Sequence, residues 1–275
     1  MAAERILVTV KTYPTLSRSY GELVCTAGVR EDGSWVRLYP IPFRRLDDYS
    51  KFSKWEWLEM AIVDNPRDPR PETRRPVDPN AIVRIGKLDT KNGWQARKDI
   101  VLRRGEVFDQ LTPLIQDAHE NKRSLATFKP KEIIDLIVEE TDRRWDAVKV
   151  DQMRIRNLQG SLFDESENWR ESLRIIRKVP YRFKYHFRTA DGKESKMTIL
   201  DWEIGELYWN ALEYSDGDER TAVAKVRHKL VDEFRVLDLH FFLGTTEEHH
   251  NKKAPNPWTI IGLFYPPVDL QMELF

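Results

Sequence analysis

One cysteine, no net charge and no long apolar run set the limits of this 275-residue sequence. Cys25 has no partner for an internal disulfide, and Cys-rich zinc modules lack their ligands, so a reducing compartment is expected. Lys and Arg total 45 and Asp and Glu total 45, which excludes binding of a polyanion through bulk charge and leaves the task to a local patch. No stretch stays apolar for the roughly 18 residues of a spanning helix, and the first ten residues have neither a basic leader segment nor a small-residue cleavage site. A cytoplasmic protein with no membrane partner is expected. Internal repeats and low-complexity segments are absent too. What is present is 40% hydrophobic residues, enough for one large domain or two small ones with real cores. Nine Trp and nine Tyr add rings with polar handles, which suit binding faces.

The pattern predicts an α+β fold: mixed or antiparallel sheets with flanking helices, in a single compact unit of two lobes. Residues 6–11 form a β-branched run that stops at Tyr13-Pro14, and Asp32-Gly33 places a tight hairpin turn before a strand over residues 35–39. Strands are predicted over residues 57–63 and 81–88, joined by a proline-rich connection that excludes a helix. Residues 106–122 have the spacing of an amphipathic helix. The polar stretch 164–168 separates an N-terminal lobe, 1–165, from a C-terminal lobe, 166–275. In the second lobe Tyr181, Phe183, Tyr185 and Phe187 alternate with Arg182, Lys184, His186 and Arg188, a strand with one aromatic and one basic face. Asp191-Gly192 turns it into a partner over 197–200. Helices are predicted over 204–212 and 222–234, and buried strands over 239–243 and 258–265.

Charge is uneven along the chain. Residues 67–104 hold eleven basic and five acidic side chains and residues 154–188 nine and four, whereas 191–250 hold fourteen acidic and seven basic. Clustered Lys and Arg neutralise phosphates, and interleaved aromatics serve single strands or flipped bases. Arg70 and Arg74 in the proline-stiffened segment, and Arg182, Lys184 and Arg188 on the strand, are therefore the expected nucleic-acid contacts; an ordinary solvated face over an aromatic core is the other reading. The densest polar constellation, Lys11 to Cys25, follows a strand end and reads as an active-site loop. In it Glu22 is the candidate to activate water or stabilise a cationic sugar, with a surface or capping glutamate as its alternative. Lys11 and Tyr20 complete the catalytic set. Tyr13, Ser17 and Arg37 are expected to bind substrate. Cys25 is expected to be a small buried hydrophobe.

Asp201 and Glu203 stand at a strand end, either as a helix cap with an acidic first turn or as a pair of acids for a divalent ion. With one cysteine and no helical His-x-x-x-His pair, His240, His249 and His250 do not make a zinc site. No metal and no cofactor is assigned. The last five residues, with Gln271, Leu274 and Phe275 as anchors, resemble the bacterial sliding-clamp-binding pentapeptide, and Gln159 to Phe163 has the same end residues. A terminal segment packed on the core is the alternative.

The stretches Lys11 to Gly28, Trp35 to Arg44, Asp201-Trp202-Glu203, Phe242 to Thr245 and Ile260 to Pro267 together resemble an uncharacterised bacterial family, similar to phage-defence DNA glycosylases that excise glucosylated hydroxymethylcytosine. The resemblance implies a DNA-binding hydrolase of antiviral defence that flips a modified base and cleaves its N-glycosidic bond. The residues themselves leave open a non-catalytic sensor of modified or single-stranded nucleic acid, and a metal-dependent nuclease around Asp201 and Glu203.

Overall fold

The computed structural model describes residues 3–17, 21–41, 51–148, 150–152, 155 and 176–268. It is α+β, with mixed and antiparallel sheets and flanking helices. The first unit is built from β1 (Glu4–Lys11), β2 (Thr15–Ser17), β3 (Gly21–Val29), β4 (Trp35–Ile41), β5 (Glu56–Met60), β6 (Ile62–Asp64), β7 (Thr73–Pro76) and β8 (Val83–Lys87), ordered β6-β7-β4-β3-β1-β5-β8 with β2 on β3. Only Ala61 separates β5 from β6, yet these two pair near opposite ends of that order. The sheet therefore curls until its ends approach each other. The apolar run expected as one strand over 57–63 is in fact two, because one residue redirects the chain from β1 to β7.

β1 sits near the middle and is buried on both faces, which is why its sequence reads as a continuous apolar run rather than an alternation. Ile6 and Val8 point into the curl with Val36, Leu38, Leu58 and Met60. A bulge between Val8 and Val10 keeps Leu7 and Val10 on the outer face, where they meet Leu125, Phe242, Ile261 and Phe264 of the second unit. The Asp32-Gly33 turn is as expected: Gly33 has φ +85°, and a Cβ there would lie 2.5 Å from the backbone of Arg104.

The second unit contains β9 (Val107–Phe108), β10 (Leu125–Phe128), β11 (Glu132–Glu140), β12 (Tyr181–Arg188), β13 (Glu194–Thr198), β14 (His240–Thr245) and β15 (Trp258–Phe264). They form two sheets, β15-β14-β10-β9 and β11-β12-β13, bridged at Ile199 and Ile260. Phe183, Tyr185 and Phe187 are buried against Phe128, Phe241 and Tyr208, as the alternation predicts. Helices Trp202–Glu213 and Glu219–Arg227 cover this core. Two expectations change here. The helix begins at Leu111, not at residue 106, because Pro113 fits only a first turn and Val107–Phe108 pairs with β10 instead. A lobe boundary at 165 is not what the pairing gives: β10 and β11 pair with β14 and β12, so residues from 107 to 140 fold with the C-terminal half.

Candidate functional site

Where β1 leaves the curled sheet, Thr12 bridges Asp201 and the Tyr13 N–H donates to the Leu200 carbonyl at 2.8 Å. This fastens the expected active-site segment to the start of helix Trp202–Glu213. Asp201 caps that helix by accepting from the Glu203 N–H at 3.0 Å, and it also accepts from the Leu263 N–H at 3.0 Å. Lys54 completes its shell: the ammonium lies 3.0 Å from Asp201 Oδ2 and 3.0 Å from Glu203 Oε2. The Asp201 and Lys54 side chains are only 1% and 6% exposed, so the pair is a buried lock between the two units. Burial works against the Lys54 charge, but Asp201 and Glu203 hold its pKa above the ordinary range. The acids read as divalent-ion ligands thus face an ammonium, and the nuclease reading loses its site. Sequence reasoning did not find Lys54, which lies 147 positions before its partner.

Tyr13 points the other way, into a cavity of about 310 Å³ walled by Trp145, Tyr181 and Phe183 and edged by Lys178 and Arg182. Its ring packs against Gly205, where a Cβ would come within 2.2 Å of Tyr13 Cδ2. Its hydroxyl donates to the Arg177 carbonyl at 2.7 Å and accepts from Trp209 Nε1 at 2.9 Å. Tyr181 is fixed in turn: its hydroxyl donates to Glu219 at 2.7 Å, and Arg143 grips the same carboxylate through both nitrogens. Those partners push the Glu219 carboxyl down to about 2. Trp145 donates from Nε1 to the Ile176 carbonyl at 2.7 Å. A neighbouring groove of about 420 Å³ shares Trp145 and Lys178 with the cavity and is bordered by Arg143, Arg144 and Arg177, with Asp151 as its one acid. The Arg177 guanidinium lies 4.1 Å from the centroid of the Trp209 ring, and the Lys178 ammonium 5.8 Å from that of Trp145. Aromatic walls thus adjoin a basic groove.

The residues expected from sequence scatter around this centre. Tyr13 lines the cavity and Arg182 stands at its edge, 3.6 Å from Glu139. Lys11 lies outside it: its ammonium donates to the Phe52 carbonyl at 3.1 Å and sits 5.1 Å from the Trp202 ring centroid. Burial, reinforced by Lys54 and opposed by Glu56 and Glu203, pushes the Lys11 pKa down to about 8. The segment read as a loop is largely the β2–β3 hairpin, in which Glu22 pairs with Leu16 and Ser17 with Gly21. The side chains of Glu22 and Ser17, and all of Tyr20, Gln271, Leu274 and Phe275, lie outside the described residues.

The two expected basic patches require correction. Arg37 is 1% exposed and donates to Ser124 Oγ at 2.6 Å, the Ser124 carbonyl at 3.0 Å and Thr73 at 3.3 Å. Arg70 is 6% exposed, forks onto Asp68 and donates to the Thr245 carbonyl at 2.6 Å. Both join the units and cannot reach a phosphate at the surface. Arg74 donates to the Pro71 and Thr73 carbonyls and pairs with Asp64. Lys184 pairs with Glu139, and Arg188 with Glu132 and Glu194, so the basic face of β12 is neutralised by its neighbours. The groove residues Arg144, Trp145, Arg177 and Lys178 were missed. The available signal was two adjacent basic pairs, Arg143-Arg144 before a tryptophan and Arg177-Lys178 before the aromatic strand.

Fold and site define an α+β protein of two fused units with an aromatic cavity at their junction. The chain belongs to the family described as Domain of unknown function (DUF8757), whose model matches residues 106–275. A second model, Domain of unknown function (DUF8758), matches residues 2–103. The two matches meet between Lys87, where the curled sheet ends, and Val107, where the second unit begins. No curated protein matches the chain. Among the described residues no helix is long and apolar enough to cross a membrane.

Proposed function

We propose that the protein binds nucleic acid by drawing an unstacked base into the cavity beside Tyr13 while the adjoining groove holds the flanking phosphates. The observation that carries this reading is that the two adjoin: Trp145 and Lys178 line both the aromatic cavity and the basic groove. A base needs a π-face and a strand needs fixed cations, and here the two needs are met side by side. The volume stands at the small end of ligand pockets, about 300–1,000 Å³. In this reading the partner is single-stranded or locally opened DNA, modified or not. The test is fluorescence anisotropy with a labelled single strand. Trp145→Ala and Lys178→Ala should each weaken binding about tenfold, whereas Lys184→Ala on the neutralised face should leave it unchanged; equal affinity in all four proteins refutes the proposal.

A second reading, excision of the seated base, is favoured by Lys11. An amine brought to about 8 by burial is a usable nucleophile or proton carrier near neutral pH. The Trp202 indole contacts both: the Lys11 ammonium lies 5.1 Å from its ring centroid and the Tyr13 ring 6.2 Å from it. In this reading the substrate is a modified cytosine of phage DNA, as for the glycosylases the sequence resembles, with Glu22 and Tyr20 in the roles expected above. Incubation with modified and unmodified DNA followed by alkali tests it: strand breaks made by wild type and lost in Lys11→Met support excision, and intact DNA contradicts it. Docking of the tail on a sliding clamp through Gln271, Leu274 and Phe275 belongs to the same proposal and rests on that pentapeptide's sequence.

A further inference from the structure

A second cleft, of about 260 Å³, is lined by Lys54, Trp55, Lys87, Trp94, Arg97 and Tyr265, and by one carboxylate, that of Glu203. Arg97 is its centre. The guanidinium is sandwiched between two indoles, 4.5 Å from the Trp55 ring centroid and 4.9 Å from that of Trp94. Both tryptophans take left-handed backbone angles, φ 69° and 66°, which non-glycine residues seldom adopt and which aim the rings at Arg97. Arg97 is 7% exposed, and it spends Nε and Nη2 on one acceptor, the Leu88 carbonyl, at 3.2 and 2.8 Å. No carboxylate among the described residues forms an ion pair with it. Burial works against its charge, and Glu203 and Asp89 offset only part of that. A buried cation held open by two strained aromatics, with no counter-ion, is an incomplete arrangement.

We propose that this cleft binds a phosphate monoester, carried by a nucleotide or by the end of a strand. The lining has three cations against one carboxylate, and Lys54 is already committed to Asp201 and Glu203. Arg97 and Lys87 are left to meet the ligand. Lys87 now donates to Ser53 Oγ at 3.0 Å, an exposed contact that a charged oxygen readily replaces. Neither cation forms an ion pair among the described residues, and a dianionic monoester matches the two of them better than a singly charged carboxylate does. Trp94 and Tyr265, with ring centroids 5.3 Å apart, offer apolar walls for the attached sugar or base. The cleft shares no lining residue with the cavity beside Tyr13, so the inference stands or falls separately from strand binding there.

Tryptophan fluorescence of the full chain reads the cleft directly, because Trp55 and Trp94 form its walls. Titrants at matched ionic strength are inorganic phosphate, a nucleoside monophosphate, the parent nucleoside, and one oligonucleotide with either a 5′-phosphate or a 5′-hydroxyl. The proposal expects saturable quenching by the monophosphate and none by the nucleoside. Lys87→Gln should weaken the monophosphate about three- to tenfold, and Glu203→Gln, which removes the carboxylate of the lining, should tighten it by a similar factor. Opposite shifts from two exposed substitutions cannot come from a folding defect. Advantage for the phosphorylated strand over the hydroxyl strand identifies a strand end as the source, and advantage for the free nucleotide alone identifies a nucleotide. Equal response to nucleoside and monophosphate, or identical affinity in wild type and both variants, overturns the proposal, whatever the outcome of strand-binding assays on Trp145→Ala.

Discussion

Replacing Asp201 with asparagine tests the lock between the two units. The substitution keeps the shape and the helix cap but removes a charge whose partner, Lys54, has a side chain only 6% exposed. Breaking a buried pair from one side costs about 3–5 kcal/mol, because the remaining ion stays in the low-dielectric interior. Glu203 reduces this: its carboxylate also lies 3.0 Å from Lys54, though with half its side chain in water. The asparagine amide adds a second conflict, since one of its ends must present N–H groups where Asp201 accepts from both Leu263 and Lys54. A loss of about 2–4 kcal/mol follows, or a melting temperature lowered by roughly 5–10 °C in a chain of this size. Urea titration and differential scanning calorimetry measure it. The double variant Asp201→Asn with Lys54→Met should recover much of the loss, since removing both charges leaves neither uncompensated. An Asp201→Asn protein within about 0.5 kcal/mol of wild type would refute the lock, and such a protein that folded normally but lost a metal-dependent cleavage would restore the nuclease reading.

Gly205→Ala should drive its new methyl into the Tyr13 ring, 2.2 Å away, destabilising the protein by about 1–3 kcal/mol and lowering strand affinity; calorimetry with anisotropy checks both. Tyr208→Phe should be neutral or stabilise by up to about 1 kcal/mol, because the Tyr208 hydroxyl is buried with no hydrogen-bond partner among the described residues; a clear loss in thermal melts would contradict this. Lys11 gives a pH signature. Its pKa falls from 10.5 unfolded to about 8 folded, so between those values the unfolded chain binds more protons and stability rises with pH, the penalty being full below about 8 and relieved above 10.5. The difference in melting temperature between wild type and Lys11→Met should therefore move in favour of wild type across that window, and a constant difference would contradict the buried ammonium.

Local signals carried much of the architecture. The alternation in β12, the apolar run of β1 and the Asp32-Gly33 turn depend on neighbours a few residues apart, and each element stands where the pattern placed it. What failed depends on distance. β11 alternates imperfectly, with a register shift between Ile133 and Asp135, and its Glu132 and Glu139 are what cancel the charge of Arg188, Arg182 and Lys184. A basic face cannot be judged from its own strand when the acids come from another one. Arg37 reads as a surface cation in sequence, yet Ser124, 87 positions away, takes it into the interior between the units. The cavity combines Tyr13, Trp145 and Tyr181 from three separate segments, and the one local mark on Trp145, the preceding Arg143-Arg144 pair, says nothing of its two partners. The lobe boundary was misplaced for a related reason: a polar stretch in sequence need not interrupt a sheet whose strands lie on both sides of it.

Photochemical cross-linking tests the seating of a base in the cavity most directly. A single strand carrying one 5-iodouracil, irradiated with the intact protein and digested for mass spectrometry, joins the analogue to whichever aromatic ring it stacks on. The account predicts adducts on Tyr13, Trp145 or Tyr181, lost when excess unlabelled strand competes and reduced in Lys178→Ala. Adducts confined to rings outside the cavity, or a strand that binds with no adduct on these three, would contradict it.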